Sequence, residues 1–113
     1  MSKKTQEMRC NAMKLLSTQF RRDINSVRLN THNTIFHELA KCKKVYELMS
    51  DGYEVYTEVY MKGGGIADIF VPEQFRIIEI LHSETNERLA KKIKKYPEEF
   101  EIISFTSKEI LVD

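Results

Sequence analysis

Apolar residues recur in the first part of this chain at three- and four-residue steps, then switch to alternation. From about Thr5 to Val27, the positions Met8, Ala12, Leu15, Leu16, Phe20, Ile24 and Val27 form one stripe, which predicts an amphipathic helix. "NTHNT" at 30–34 breaks the pattern and offers Thr31, Asn33 or Thr34 as N-cap to a second helix, closed by Gly52. On that helix Ile35, Leu39, Cys42, Val45, Tyr46 and Met49 form one apolar arc, the face expected to meet the core. From Tyr53 the period becomes two: "YEVYTEVYM" sets Val55, Thr57, Val59 and Met61 against Glu54, Tyr56, Glu58 and Tyr60, a half-buried strand. "KGGG" supplies turn residues. "IADIFV" and "FRIIEIL" then read as strands apolar on both faces, joined through Pro72, Glu73 and Gln74. A third helix, about Glu84 to Tyr96, is expected to bury Leu89, Ala90, Ile93 and Tyr96 and to stop before Pro97. "EIISF" reads as a last strand, and "SKEILVD" fits either a further strand or a helical turn. The predicted order is α-α-β-β-β-α-β, an α/β fold with a mixed sheet flanked by helices.

Within these apolar rows three acids are out of place. Glu38 falls inside the arc of the second helix, Asp68 shares a strand face with Ile66 and Phe70, and Glu79 shares one with Ile77 and Leu81. A buried, unpaired carboxylate costs several kcal/mol, so three in one small domain call for shared compensation. Each acid alone could pair with a nearby Lys or Arg or reach solvent at a strand end. A divalent cation would compensate all three, and Mg2+ takes hard oxygen ligands from carboxylates, water and substrate phosphate. Phosphodiester hydrolysis is the chemistry such a site would suit.

The sequence has 113 residues, 42% hydrophobic and 31% charged, which is the balance of one globular domain. With 18 Lys and Arg against 17 Asp and Glu, the net charge of +1 does not announce a nucleic-acid binder; only its distribution could. Positive charge gathers at Lys3-Lys4, Arg21-Arg22, Lys41-Lys43-Lys44 and Lys91-Lys92-Lys94-Lys95. The flank of the second helix beside Glu38 carries Thr34, His37, Lys41 and Lys44, a candidate row for phosphate contacts, or else a solvated helix face. No apolar run approaches the roughly 20 residues of a membrane span, and the N-terminus lacks a signal-peptide core, so an intracellular, cytoplasmic protein is expected. Cys10 and Cys42 have no zinc-ligand spacing and are expected to be reduced and partly buried. The Gly-Lys-Ser/Thr ending of a phosphate loop is missing.

The helix acid Glu38, followed by "GIADI" with Asp68 and "IIEIL" with Glu79, resembles the PD-(D/E)xK nuclease superfamily. Within it the chain looks most like the small archaeal Holliday-junction resolvases and related viral or plasmid-borne nucleases. The resemblance spans about residues 33 to 106. It implies a restriction-endonuclease-like three-layer α/β/α core at 31–113, in a single domain of residues 1–113 with 1–30 as a helical extension. It also implies a metal-dependent DNA endonuclease, with Mg2+ or Mn2+ held by Asp68, Glu79 and Glu38, and Glu58 as a weaker candidate. Likeness to dimeric resolvases adds a homodimer as an expectation.

One departure is decisive for catalysis. The family pattern has Lys two residues after the last acid, and here that residue is Leu81, which can neither stabilise charge nor orient water. Three explanations compete: migration of the amine to Lys91, Lys92 or Lys95 on the next helix, assistance from His82, or loss of catalysis in a nucleic-acid-binding or assembly protein. Alternation turns His82 away from Glu79.

Overall fold

The computed structural model describes residues 2–18, 20, 23–82 and 86–112. The elements are α1 (Lys3–Met13), α2 (Ile35–Ser50), β1 (Tyr56–Tyr60), β2 (Ile66–Val71), β3 (Arg76–Leu81), α3 (Asn86–Ile93), β4 (Glu101–Thr106) and α4 (Ser107–Leu111), with a 3-10 turn at Pro72–Gln74. The strands form one sheet in the order β1-β2-β3-β4. The first three are antiparallel neighbours and β4 runs parallel to β3, so the fold is α/β with a mixed four-stranded sheet and four helices. "SKEIL" is helical, which adds α4 to the predicted order: Thr106 and Glu109 form a reciprocal capping box that starts a helix where the strand ends.

Two apolar clusters cover the sheet, and β3 shows their division. Ile77 belongs to one, with Ala12 of α1, Tyr56, Phe70, Tyr96 and Phe100; Ile78 and Ile80 belong to the other, with Ala40, Val45 and Leu48 of α2 and Ile110 of α4. Strict alternation fails in β1. Tyr56 and Val59 lie in the same cluster while Val55 lies in the opposite one, because Glu58 adopts a left-handed backbone conformation, φ 52°. That conformation is unfavourable for a residue with a Cβ. It turns the Glu58 carboxylate toward Lys41 on α2, 2.9 Å away.

The first helix is much shorter than the apolar stripe predicts, ending at Met13. The rest of that stripe serves a different purpose: Leu16 bridges Met61, and Ser17 and the segment 25–28 contact the free edge of β1. Asn25 bonds both main-chain groups of Val55 and Thr57 bonds Ser26 and Arg28, so the edge strand is covered. Arg21 and Arg22 lie outside the described residues, as does Glu84, where the third helix was expected to begin. Helix α3 itself buries none of its residues: Leu89 and Ile93 are half-buried, Ala90 is exposed, and Tyr96 is buried only after the helix has ended. Cys10 is exposed and Cys42 half-buried, and both are free thiols.

The largest difference is the rotation of α2. Thr34, one of the three candidates, caps it, accepting from the His37 N–H, and it ends at Ser50 with Asp51 as C-cap, before Gly52 as predicted. Yet Ile35, Leu39, Tyr46 and Met49 face solvent, while His37, Glu38, Ala40, Lys41, Val45 and Leu48 face the sheet. Lys41 is fully buried. Its amine reaches Glu38 at 2.7 Å, Glu58 at 2.9 Å and the Arg28 carbonyl at 2.7 Å. Two hydrogen bonds, to Glu58 and the Arg28 carbonyl, and the close ion pair with Glu38 surround the ammonium with oxygen, which makes its burial tolerable. Among the described residues no helix is long and apolar enough to cross a membrane.

Removing the Lys41 amine leaves Glu38 and Glu58 buried without their cation. Lys41→Met is expected to cost about 3–5 kcal/mol in urea unfolding. Lys44→Met, which loses only a contact over the Phe105 ring at 4.5 Å, should cost about 1 kcal/mol or less. Equal losses for the two would contradict the burial of α2's charged face.

Candidate functional site

Pairing between β2 and β3 runs from Val71 opposite Arg76 to Ile69 opposite Ile78, and the next residues outward are Asp68 and Glu79. There the side chain of Asp68 enters the ladder. Its Oδ2 accepts the Ile80 N–H at 2.8 Å. Both acids are buried, Glu79 completely. Their carboxyl groups touch, and the two respond in opposite directions. Burial, joined by the adjacent Asp68 charge, pushes Glu79 well above the usual carboxylate range. Burial acts on Asp68 in the same direction but is outweighed by hydrogen bonds from His37 and Glu79, the Lys92 charge and the Ile80 N–H; Asp68 is held ionised.

The amine next to this pair is that of Lys92. Its Nζ lies 3.1 Å from Glu79 Oε2 and 4.0 Å from Asp68 Oδ1. The Tyr96 hydroxyl donates to Glu79 Oε1 and also reaches the Ile66 carbonyl, 2.9 Å away. Of the three lysines considered for the missing amine, Lys92 is thus at the carboxylates. Lys95 lines the cleft beside them, and Lys91 is exposed on α3. His82 is on the other face: it stacks on Phe36 and bonds the Ser107 hydroxyl at 2.9 Å. Leu81 is half-buried and pairs with Thr106 of β4.

Glu38 joins this group through His37. The ring stands between the acids, Nδ1 3.5 Å from Glu38 Oε2 and Nε2 3.4 Å from Asp68 Oδ2. Burial lowers the affinity of His37 for a proton, but Asp68 and Glu38 more than offset it and raise its pKa above the ordinary value. Glu38 Oε1 accepts from the Asn30 N–H at 2.7 Å and the Asn33 amide at 3.3 Å. Burial opposes its charge, but the Lys41 ammonium and these donors hold its pKa below the ordinary one.

The supposed phosphate-facing row on α2 does not form. His37 and Lys41 are buried by their contacts with the acids, Lys44 lies over Phe105, and exposed Thr34 uses its hydroxyl as a cap. The open surface next to Asp68 is instead a cleft of about 300 Å3. It is lined by Asn30, Asn33, Glu58, Gly64, Gly65, Ile66, Asp68, Lys92 and Lys95. Sequence reading missed Lys41 as an internal counter-ion, although its position three residues after Glu38 was the available signal. Nothing local in the sequence marks Tyr96 or Asn30 as site residues, since each arrives from a distant loop.

Among the described residues no three or more His, Cys, Asp or Glu side chains are arranged to hold a metal ion. Asp68 at the cleft wall and the fully buried Glu79 beside it nonetheless offer a cation two adjacent carboxyl groups. His37 Nδ1 and Glu38 Oε2 nearby both lack an aligned hydrogen bond. Two carboxylates completed by water and phosphate oxygens are an ordinary Mg2+ ligand set.

Gly65 sets how closely Tyr96 approaches. A Cβ there would fall 2.5 Å from the Tyr96 ring, so Gly65→Ala should push the ring away and withdraw its hydroxyl from Glu79. The expected loss of stability is about 1–3 kcal/mol, read by urea unfolding, with a displaced Tyr96 ring signal in NMR spectra. An unmoved ring in a fully stable variant would contradict this packing. Compared with protein-family models, with curated proteins and with solved structures, the chain matches none.

Proposed function

We propose that the protein is a metal-dependent DNA endonuclease whose catalytic group is Asp68, Glu79 and Lys92, with Glu38 as a supporting acid behind His37. The observation that carries this reading is the Lys92 amine 3.1 Å from Glu79 in a chain whose strand position for that amine is Leu81. An amine delivered from α3 reaches the carboxylates that a lysine on β3 would have reached, which supports migration. The mixed sheet, with helices packed against it, is compatible with the three-layer restriction-endonuclease-like arrangement that the resemblance implies.

In this reading Asp68 and Glu79 would hold Mg2+ or Mn2+, which would supply charge neutralisation at the scissile phosphate and a water of lowered pKa. Lys92 then has two tasks within reach of its flexible stem: orienting the attacking water and neutralising charge that develops on the phosphate. Lys95 contributes a further positive charge at the cleft, and Gly64, with open space where a Cβ would stand, leaves room for a sugar-phosphate backbone. Asn30 and Asn33 offer neutral donors on the other wall. Tyr96 positions Glu79 and does not itself touch the cleft's substrate side.

A non-catalytic nucleic-acid-binding or assembly protein is the second reading. It is favoured by one observation, the complete burial of Glu79 between Tyr96, Lys92 and Asp68.

Labelled linear duplex, single-stranded and four-way-junction DNA, incubated with the protein in Mg2+ or Mn2+, separate the two. Cleavage of at least one substrate is expected, with Asp68→Asn, Glu79→Gln and Lys92→Met each lowering the rate by about 100-fold or more. Lys91→Met should leave the rate within about twofold, since a surface charge away from the cleft contributes little. Absence of cleavage on every substrate, or undiminished cleavage by Asp68→Asn, overturns the enzyme reading.

A further inference from the structure

Of the two tyrosines on β1, Tyr56 is buried against the rings of Phe20 and Phe70, whereas Tyr60 is 42% exposed. The left-handed Glu58 between them breaks the alternation that would have set both on one face. Tyr60 stands opposite Ile66 of β2, itself 43% exposed. Directly opposed residues of an antiparallel pair share a face, with Cβ atoms about 5 Å apart. Ile66 also lines the cleft beside Asp68, so the two side chains form an apolar step at its rim. Three amines surround that step: Lys92 and Lys95 in the cleft and exposed Lys62 at the hairpin turn.

Resting on the nuclease reading, we propose that Tyr60 and Ile66 are a platform for an unpaired base of the strand whose phosphate lies at Asp68, so that DNA with unpaired nucleotides is the substrate. A nucleotide matches both features at once: the flat apolar face of its base covers the ring, and its phosphate meets the ammonium groups. Ile66 precedes Asp68 by two residues, roughly 7 Å along the strand, which sets the platform beside the carboxylates.

The platform is fixed to those carboxylates. The Tyr96 hydroxyl reaches both the Ile66 carbonyl and Glu79, and the hairpin tip lies so close to α3 that a Cβ on Gly63 would stand 2.8 Å from the Lys95 carbonyl oxygen. A base held on Tyr60 therefore holds its phosphate in register with the site. Size argues in the same direction. The cleft is about 300 Å3, at the small end of ligand pockets, and Glu79 is buried behind it. One strand can bend into such a space, whereas a duplex must first unpair a base to reach the platform.

Short single-stranded DNA carrying 5-iododeoxyuridine, irradiated with metal-free wild-type protein, is expected to cross-link to Tyr60. This readout does not depend on any variant folding. Affinity for the same strand, measured by fluorescence anisotropy, should fall about tenfold in Tyr60→Ala and stay within about twofold in Tyr60→Phe, which keeps the ring. Tyr46→Ala, which removes an exposed ring beside α4 instead, should also leave it unchanged. In Mg2+ or Mn2+ the wild type should cleave the single strand, or a duplex interrupted by unpaired nucleotides, at least about tenfold faster than an intact duplex or a fully paired four-way junction. Tyr60→Ala should lose that preference. A cross-link elsewhere, undiminished strand affinity in Tyr60→Ala, or equal cleavage of paired and unpaired substrates would each overturn the inference while the nuclease reading stands. Tyr60-dependent strand binding in a protein that cleaves nothing would uphold the platform and overturn the nuclease reading.

Discussion

Among the described residues four carboxylates are buried, Glu38, Glu58, Asp68 and Glu79, and finding cations for them constrains most of the structure. Lys41 answers Glu38 and Glu58, Lys92 answers Glu79 and Asp68, and His37 spans Glu38 and Asp68. Two amines and one imidazole face these four acids, and the strain falls on the Asp68–Glu79 pair, where Glu79 is shifted upward and Asp68 downward. A divalent cation at the pair would add the missing positive charge, which is the physical reason for proposing a metal there.

The same constraint shapes the backbone. Glu58 accepts a left-handed conformation, of a kind that costs on the order of 1–3 kcal/mol, and gains an ammonium partner across the core. Asp68 takes the Ile80 N–H with its side chain beyond the last strand pair, so β2 and β3 part where the cleft opens. The N-terminal segment, no longer needed as a long helix, covers the exposed side of β1. Function and fold are therefore linked through charge burial: the features that depart from regular geometry are those that bring an acid and a cation together.

Much of this was legible from periodicity and spacing. The two buried strands with Asp68 and Glu79 and the stop before Gly52 could be read from local patterns; Thr34 was one of three residues offered as the cap, and a third-helix lysine one of three explanations for the missing amine. The rotation of α2 could not. Its apolar stripe and its charged face both repeat at helical spacing, and apolar residues ordinarily win the core; here the acids of the sheet select Lys41. The end of α1 at Met13 was hidden for a similar reason, since later residues of one helical stripe were used against a strand edge. Glu58 was illegible because a single left-handed residue shifts alternation without any glycine to mark it. Tyr96 and Asn30 come from loops, where position in space depends on the finished fold.

The metal position at Asp68 and Glu79 is the claim on which the functional reading rests, and crystals soaked in Mn2+ test it most directly through anomalous scattering. The account predicts one strong peak bound by both carboxylates, with the Lys92 amine moved from its 3.1 Å contact with Glu79. Saturating Mn2+ with no peak at this pair, and with Lys92 still on Glu79, would contradict it.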